Sequence, residues 1–410
     1  MRTRSAVGLI ALVPDDWGPV WMPRQQILTR LARHFDVVWV NPAKHWRQYW
    51  AANGDSRVER QEFREIAPGF TVMTPGPLRP CVYRPDWLRR FIYARALADA
   101  RRYLRRRGAT LIALHLWRYD FAEALDVVSH DLSCYHIDDE YSFSEVEVPN
   151  DPREERLLRR VDQVIVHSTR LLEKKGGRNP QTAMIPNGVD YAAFATPQAE
   201  PLDLGPVPRP RLGYIGVIKK QLNLGLLARM ARARPDWSIV LVGPVGNVAG
   251  KEPVLTDLRA LPNVYFLGTK RLETLPGYVQ QMDACLMCYE LNDYTKYIYP
   301  LKLHEYLAAG RPSIASPIDA VLDHADVVTL ARTDEEWISG IAQALAPAAS
   351  AAAEIARRRA RARQYDWTRL AERVAHLFRD GLGLHRSVDP VTENPAGHLA
   401  EPFRPTCNTP

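Results

Sequence analysis

Three things are scarce or missing in this sequence: cysteine, long apolar runs and internal repeats. The 410 residues contain five cysteines, Cys81, Cys134, Cys285, Cys288 and Cys407. An odd, scattered set argues against a disulfide framework and for a reducing compartment. Cys285 and Cys288 form a C-x-x-C, but no second pair accompanies it. A metal or redox pair is one reading. A buried strand, DACLMCYE, with cysteine as a small hydrophobe, is the other and is preferred. No stretch approaches the roughly 20 apolar residues that a membrane-spanning helix needs. The N-terminal MRTRSAVGLIALVPDDWG opens like a signal peptide. Its apolar run stops at Pro14, Asp15 and Asp16, without a small-residue cleavage pattern. A buried parallel strand is the better reading, and the expected location is the cytoplasm.

The charge balance is one-sided, with 54 basic against 47 acidic residues and a net charge of +7. That excess suits a nucleotide, an anionic membrane face or nucleic acid, and does not choose among them. The basic residues lack the interleaved stacking aromatics of a nucleic-acid module, which disfavours nucleic acid as a partner.

Strand-like apolar runs alternate with helical patterns along the chain. AVGLIALV precedes the helical MPRQQILTRLARHF and the strand DVVWVNP. The helix PDWLRRFIYARALADARRYLRRRG, the strands TLIALHLW and LSCYHID, the helix DPREERLLRRVD, and the strands QVIVHS and TAMIPNG follow. This alternation predicts parallel sheets built from right-handed crossover units. Five prolines then fall within PQAEPLDLGPVPRP, residues 197–210, the best linker candidate. The alternation restarts at RLGYIGVI and runs to about residue 365. The expected architecture is α/β, two Rossmann-like domains facing each other across a cleft. Residues 1–196 are expected to form the first domain and 211–365 the second. An amphipathic helix over 366–382 follows, and a polar tail from 383 is expected to be disordered. Ligands of such sheets bind outside the carboxyl ends of the strands.

The stretch YIYPLKLHEYLAAGRPSIASP places a carboxylate, Glu305, inside an otherwise apolar helix. Pro300 suits the helix start and Gly310 its end, which predicts a helix over Leu301–Ala309. The N-terminus offers unpaired N–H groups to an anion, and Lys302 adds a full charge in the first turn. One turn deeper, Glu305 can accept two hydrogen bonds from a vicinal diol such as a ribose. Alternatively Lys302 and Glu305, three residues apart, pair with each other on the helix surface.

PLKLHEYLAAGRPSIASP resembles the donor-nucleotide motif of the family-4, group 1 glycosyltransferases of GT-B fold. VDQVIVHSTRLL with IPNGVD, LGYIGVIKK with PDWSIVLVGP, and YDWTRLA are similar, in order, to other parts of that family. The matches run from about residue 160 to 378, and the first 150 residues match only loosely. The resemblance implies sugar transfer from a nucleotide-sugar, UDP- or GDP-linked, to a hydroxyl acceptor. Configuration would be retained, with no metal and no other cofactor. It also implies a role in surface polysaccharide or glycoconjugate synthesis, and a last helix that crosses back onto the first domain.

Residue by residue, Glu305 would bind the ribose. The backbone at Tyr299, Leu301 and Lys302 would take the diphosphate, and Gly216 with Lys219 or Lys220 would complete the phosphate site. The family's second glutamate, eight positions before Glu305, is Tyr297 here. His136, at the end of a strand, resembles a polar residue near the donor sugar. Asp15, Asp16, Gly18, Arg118 and Asp138 are candidates for the acceptor side of the cleft. Asp138 with Asp139 also admits a metal reading, disfavoured because it lies in the wrong half of the chain. The acceptor expected is a saccharide or a lipid-linked saccharide. The arginine-rich helix 85–108 either contacts the inner membrane face or packs on its own sheet with a solvated basic face. A sugar-nucleotide epimerase and a non-catalytic binding subunit are the competing functions.

Overall fold

The computed structural model describes residues 5–18, 21–47, 61–140 and 151–384. The polar tail expected from 383 lies almost wholly outside the described residues.

Two sheets account for the fold. The first has the order β3-β4-β2-β1-β5-β6-β7-β8, from β1 (Val7–Leu12), β2 (Asp36–Val40), β3 (Glu62–Ala67), β4 (Phe70–Thr74), β5 (Leu111–Leu116), β6 (Leu132–Ile137), β7 (Gln163–Val166) and β8 (Thr182–Met184). β1 is central because it has no polar side chain and all six residues are buried, as a parallel strand covered on both faces requires. Its Leu9 sits level with Val37 on β2 and Ala113 on β5. The second sheet is all parallel, in the order β11-β10-β9-β12-β13-β14. Its strands are β9 (Arg211–Ile215), β10 (Ser238–Val242), β11 (Val264–Gly268), β12 (Ala284–Met287), β13 (Ser313–Ala315) and β14 (Thr329–Leu330).

One strand departs from the parallel expectation. β3, EFREIA, pairs antiparallel with β4 at the sheet edge, and most of its side chains are exposed. Its charges hid it from a search for apolar runs, and only an edge tolerates them. Cys285 and Cys288 lie in or beside β12, both fully buried, and burial pushes each thiol up to about 12. The apolar-strand reading of the C-x-x-C therefore fits.

Five helices position the site: α1 (Pro23–Leu31), α2 (Asp86–Arg106), α3 (Tyr191–Ala195), α4 (Leu301–Ala308) and α5 (Trp367–Gly381). α2 covers one face of the first sheet through Ala96, Leu97, Ala100 and Leu104. The opposite face is covered by Ile27, Leu28 and Leu31 of α1 together with Leu370, Val374 and Phe378 of α5. The last helix among the described residues thus completes the core of the first domain.

The chain passes between the domains twice, and the two passages are bonded to each other. Val189 N–H donates to Tyr365 O at 3.0 Å, and Trp367 N–H donates to Val189 O at 3.0 Å. Gly188 permits this approach, because a Cβ there would lie 2.4 Å from Tyr365 O. The proline-rich segment 197–210 is strapped to the second domain. Leu204 and Val207 are buried, Gln198 N–H donates to Gln280, and Asp203 pairs with Lys270 at 2.6 Å.

Phe378 is fully buried between Phe35 and His115, with ring centroids at 6.0 and 5.2 Å. Phe378→Ala should destabilise the first domain by about 3–5 kcal/mol. The check is the urea midpoint, and an unchanged midpoint would contradict the packing of α5 as described.

Candidate functional site

The loop leaving β12 ends at Pro300, and α4 begins directly after it with no side chain capping its N-terminus. Its first N–H groups are therefore open to a ligand. α4 is held in place from three sides. Ile215 N–H, at the end of β9, donates to the Tyr306 hydroxyl at 3.0 Å. Asn187 Nδ2 donates to Tyr299 O at 2.8 Å. Gly310, at φ +76°, turns the chain where a Cβ would lie 2.7 Å from Ile355.

Glu305 projects from α4 into a cavity of about 380 Å³ between the two domains. Trp21 and Gln26 line it from the first domain, Leu272 and Pro276 from the second. The carboxylate is half-buried and makes no hydrogen bond or ion pair among the described residues. Burial raises its pKa to about 7, and the charge of Lys302 only partly opposes this.

Lys302 does not pair with Glu305, so the helix-surface alternative is not realised. Its Nζ lies 5.0 Å from the centre of the Tyr214 ring. A Cβ on Gly216 would come within 2.7 Å of that Nζ. Gly216 and Gly243, at φ +143° and +140°, approach so closely that a Cβ on Gly243 would sit 2.2 Å from Gly216 O. The two glycine turns give Lys302 room to reach over the end of β9.

The structure separates the adjacent lysines. Lys219 is half-buried, and its pKa is lowered first by burial and then by Lys302. Lys220 is exposed, with its N–H on Asn247 O at 2.9 Å. Of the two alternatives, Lys219 is therefore the lysine beside Lys302. Tyr299 contributes backbone only. Its hydroxyl is 3.1 Å from His304 Nε2, and its ring faces His304 rather than the cavity. Leu301 lines the cavity beside Glu305.

Tyr297 is buried rather than aimed at a donor. It packs with the apolar core under α2, and Lys174 and Lys296 lie 5.2 and 5.3 Å from its ring centre. It belongs to the contact between domains.

On the first-domain side, His136 ends β6 and is buried. Its Nδ1 is 3.2 Å from His115 Nε2, and it stacks on Trp117 at 4.0 Å. Burial, then His115, His167 and Arg24, hold its pKa well below the usual imidazole range, so it is neutral at physiological pH. His115, fully buried on β5, orients His136. Asp138 is tied to the buried Arg24 at 2.9 Å, and Arg24 also binds Asp15 at 2.5 Å. Asp138 thus stabilises an arginine. Asp139 instead faces the other domain, where the Tyr294 hydroxyl donates to its carboxylate at 3.4 Å. Asp16 is exposed, and Gly18 has only a backbone oxygen 3.9 Å from its Cβ position. Nothing there requires a glycine. Arg118 pairs with Asp120 at 2.7 Å, on the loop after β5.

Arg24 and Tyr294 went unnoticed in the sequence, and His115 was expected to be a strand residue with no role. Arg24 carried one signal: it follows Pro23 in a helix that starts at the strand ends, a poor place for a solvated arginine.

Comparison with known proteins follows this geometry. Residues 209–347 match the family model described as Glycosyl transferases group 1. TuaH of Bacillus subtilis (strain 168), provisionally named a teichuronic acid biosynthesis glycosyltransferase, is 32% identical over 172 residues. That alignment covers 39% of this chain and 42% of TuaH, so the chain spans about two fifths of the relative's length. A solved structure described as trehalose-6-phosphate from E. coli bound with UDP-2-fluoro glucose superposes with a TM-score of 0.64 at 12% identity. It covers 90% of this chain and 98% of its own. An alpha,alpha-trehalose 6-phosphate synthase from Burkholderia multivorans gives 0.60 at 15% identity, over 93% and 98%. At such identities the likeness concerns the fold. This chain has the GT-B fold, and residues 209–347 of its second domain are similar to the glycosyl transferases group 1.

Proposed function

We propose that the protein moves a sugar from a UDP- or GDP-linked donor to a hydroxyl acceptor, with retention, in polysaccharide or glycoconjugate synthesis. The observation that carries this is Glu305, an unpaired, half-buried carboxylate on the inter-domain cavity, one turn below an open helix N-terminus. A carboxylate left so costs free energy unless a ligand hydrogen-bonds it, and a ribose diol is suited to do so. Lys219 and Lys302 lie close enough that each feels the other's charge, with Asp139 only partly offsetting this at Lys219. A diphosphate would offset their repulsion, and its growing negative charge on departure would be met by both lysines and the α4 N–H groups. The acceptor hydroxyl then attacks the anomeric carbon. We assign neutral His136, near the end of β6, the orienting of a sugar hydroxyl. Closure of the domains would exclude water and so limit hydrolysis. The matched family model and the name given to TuaH support this reading. Among the described residues no helix is long and apolar enough to cross a membrane.

Thermal shift with UDP-, GDP-, ADP- and dTDP-sugars should single out one donor, since binding to the folded state raises Tm. Glu305→Ala should weaken nucleotide binding about 10- to 100-fold, the loss of one or two charge-assisted hydrogen bonds. Unchanged affinity would remove the assignment. Lys219→Ala should lower kcat by about 10²–10³, whereas Lys220→Ala leaves it within about twofold, given its exposure.

The raised pKa of Glu305 adds a pH test. The folded state holds this proton more tightly than the unfolded chain. Its stability contribution is therefore favourable at low pH and lost as pH rises from about 4.5 to about 7. Glu305→Gln should match the wild type near pH 4 and exceed it by up to about 3 kcal/mol near pH 8. Urea midpoints at the two pH values measure this, and a gain at low pH instead would contradict the assigned burial.

A further inference from the structure

A second cavity, of about 420 Å³, lies under α2 at the carboxyl ends of β1, β2 and β4, on the sheet face opposite α1. Its walls are apolar, with Leu12, Val40, Ile92 and Leu97 among them. Its volume falls in the range of small-molecule sites. It contains one unsatisfied polar group, the Tyr93 hydroxyl, which is buried without a hydrogen-bond partner. At one end it reaches Asp120, the partner of Arg118 on the cleft loop.

The outer rim carries an unusual surface. Leu78, Tyr83, Trp87 and Phe91 are 82, 71, 70 and 57% exposed. His45 stacks on Tyr83 at 5.4 Å, with Trp46 exposed beside it. Around these apolar groups stand Arg84, Arg90 and Arg95, exposed and without an acidic partner among the described residues. The exposed Asp86 is the acid among them, 3.8 Å from Arg89. Large aromatics beside unpaired arginines suit a boundary where hydrocarbon meets anionic headgroups.

We propose that this rim docks on an anionic lipid surface and that the cavity receives a hydrocarbon chain of the lipid. The Tyr93 hydroxyl would hydrogen-bond a polar group of that lipid near its linkage. That the lipid is also the sugar acceptor rests on the transferase reading, and Asp120 is where its head would approach the cleft. Charge decides the class of surface: each arginine near an anionic leaflet favours binding by about fivefold, and a neutral surface provides no such term. A second copy of this chain would bring like charge against like charge.

Flotation of the full chain with phosphatidylcholine vesicles, with and without phosphatidylglycerol, tests the docking. Binding should require phosphatidylglycerol and fall at least fivefold for Trp87→Glu with Phe91→Glu. It should also fall for Arg90→Glu with Arg95→Glu, which touches no core. Equal binding to both vesicles, or no effect of either pair, would overturn the docking. A shift from dimer to monomer in these variants without loss of vesicle binding would assign the rim to a second copy instead. Titration with dodecyl phosphate below its micelle concentration reads the cavity. Ala96→Trp and Ala43→Trp should each abolish its binding, and retention in both would refute the chain site. UDP-sugar binding should be unchanged in all these variants and melting temperature unchanged in the rim pairs, whereas Ala96→Trp, in the core, should lower the melting temperature. Loss of nucleotide binding on Glu305→Ala alone, with dodecyl phosphate still bound, keeps the two sites separable.

Discussion

The arrangement of the molecule depends on the pair of chain crossings joined at Val189. One passage leads from the first sheet to the second, and the other returns α5 to the first. Because Val189 donates to one side of the returning chain and accepts from the other, the passages move together. Asn187, two residues earlier, grips the carbonyl just ahead of α4. The helix carrying Glu305 is therefore referenced to the hinge itself. A closure of the domains can carry the first domain over a helix tip that stays in place.

The charged groups of the cleft show a consistent division. Those that support structure are paired, as Arg24 is with Asp138 and Asp15. Those at the open helix end are not paired with one another, although Lys302 and Glu305 are three residues apart. Burial raises the pKa of one and lowers that of Lys219, so the unliganded cleft holds charges at a cost. Such a cost persists where a ligand returns it. The first sheet is then used on both faces. α1 and α5 close the side toward Glu305, while α2 roofs a separate apolar chamber whose tyrosine hydroxyl has no partner.

Much of this was legible in the residues alone. Apolar strands such as β1 and β10 must be buried on both faces, so their runs could be found without knowing their neighbours. Pro300 and Gly310 marked the ends of α4 to within a residue, because both act through local backbone geometry. The role expected of Glu305 came instead from the resemblance of its motif to a known family, since spacing alone equally allowed a surface pair with Lys302. β3 was missed, since an exposed edge strand has no core to impress a pattern on its sequence.

What the sequence by itself determined was therefore local: which segments are strands, where the key helix starts, and that a carboxylate sits inside it. The choice between Lys219 and Lys220, the failure of Lys302 to pair with Glu305, and the burial of Tyr297 between two lysines were decided by the tertiary structure. So were the His115–His136 contact and the bond between Arg24 and Asp138. Each depends on where a side chain points relative to residues tens or hundreds of positions away. Spacing along one helix or turn carries no record of those distances, and only the packing of two sheets around a shared hinge sets them.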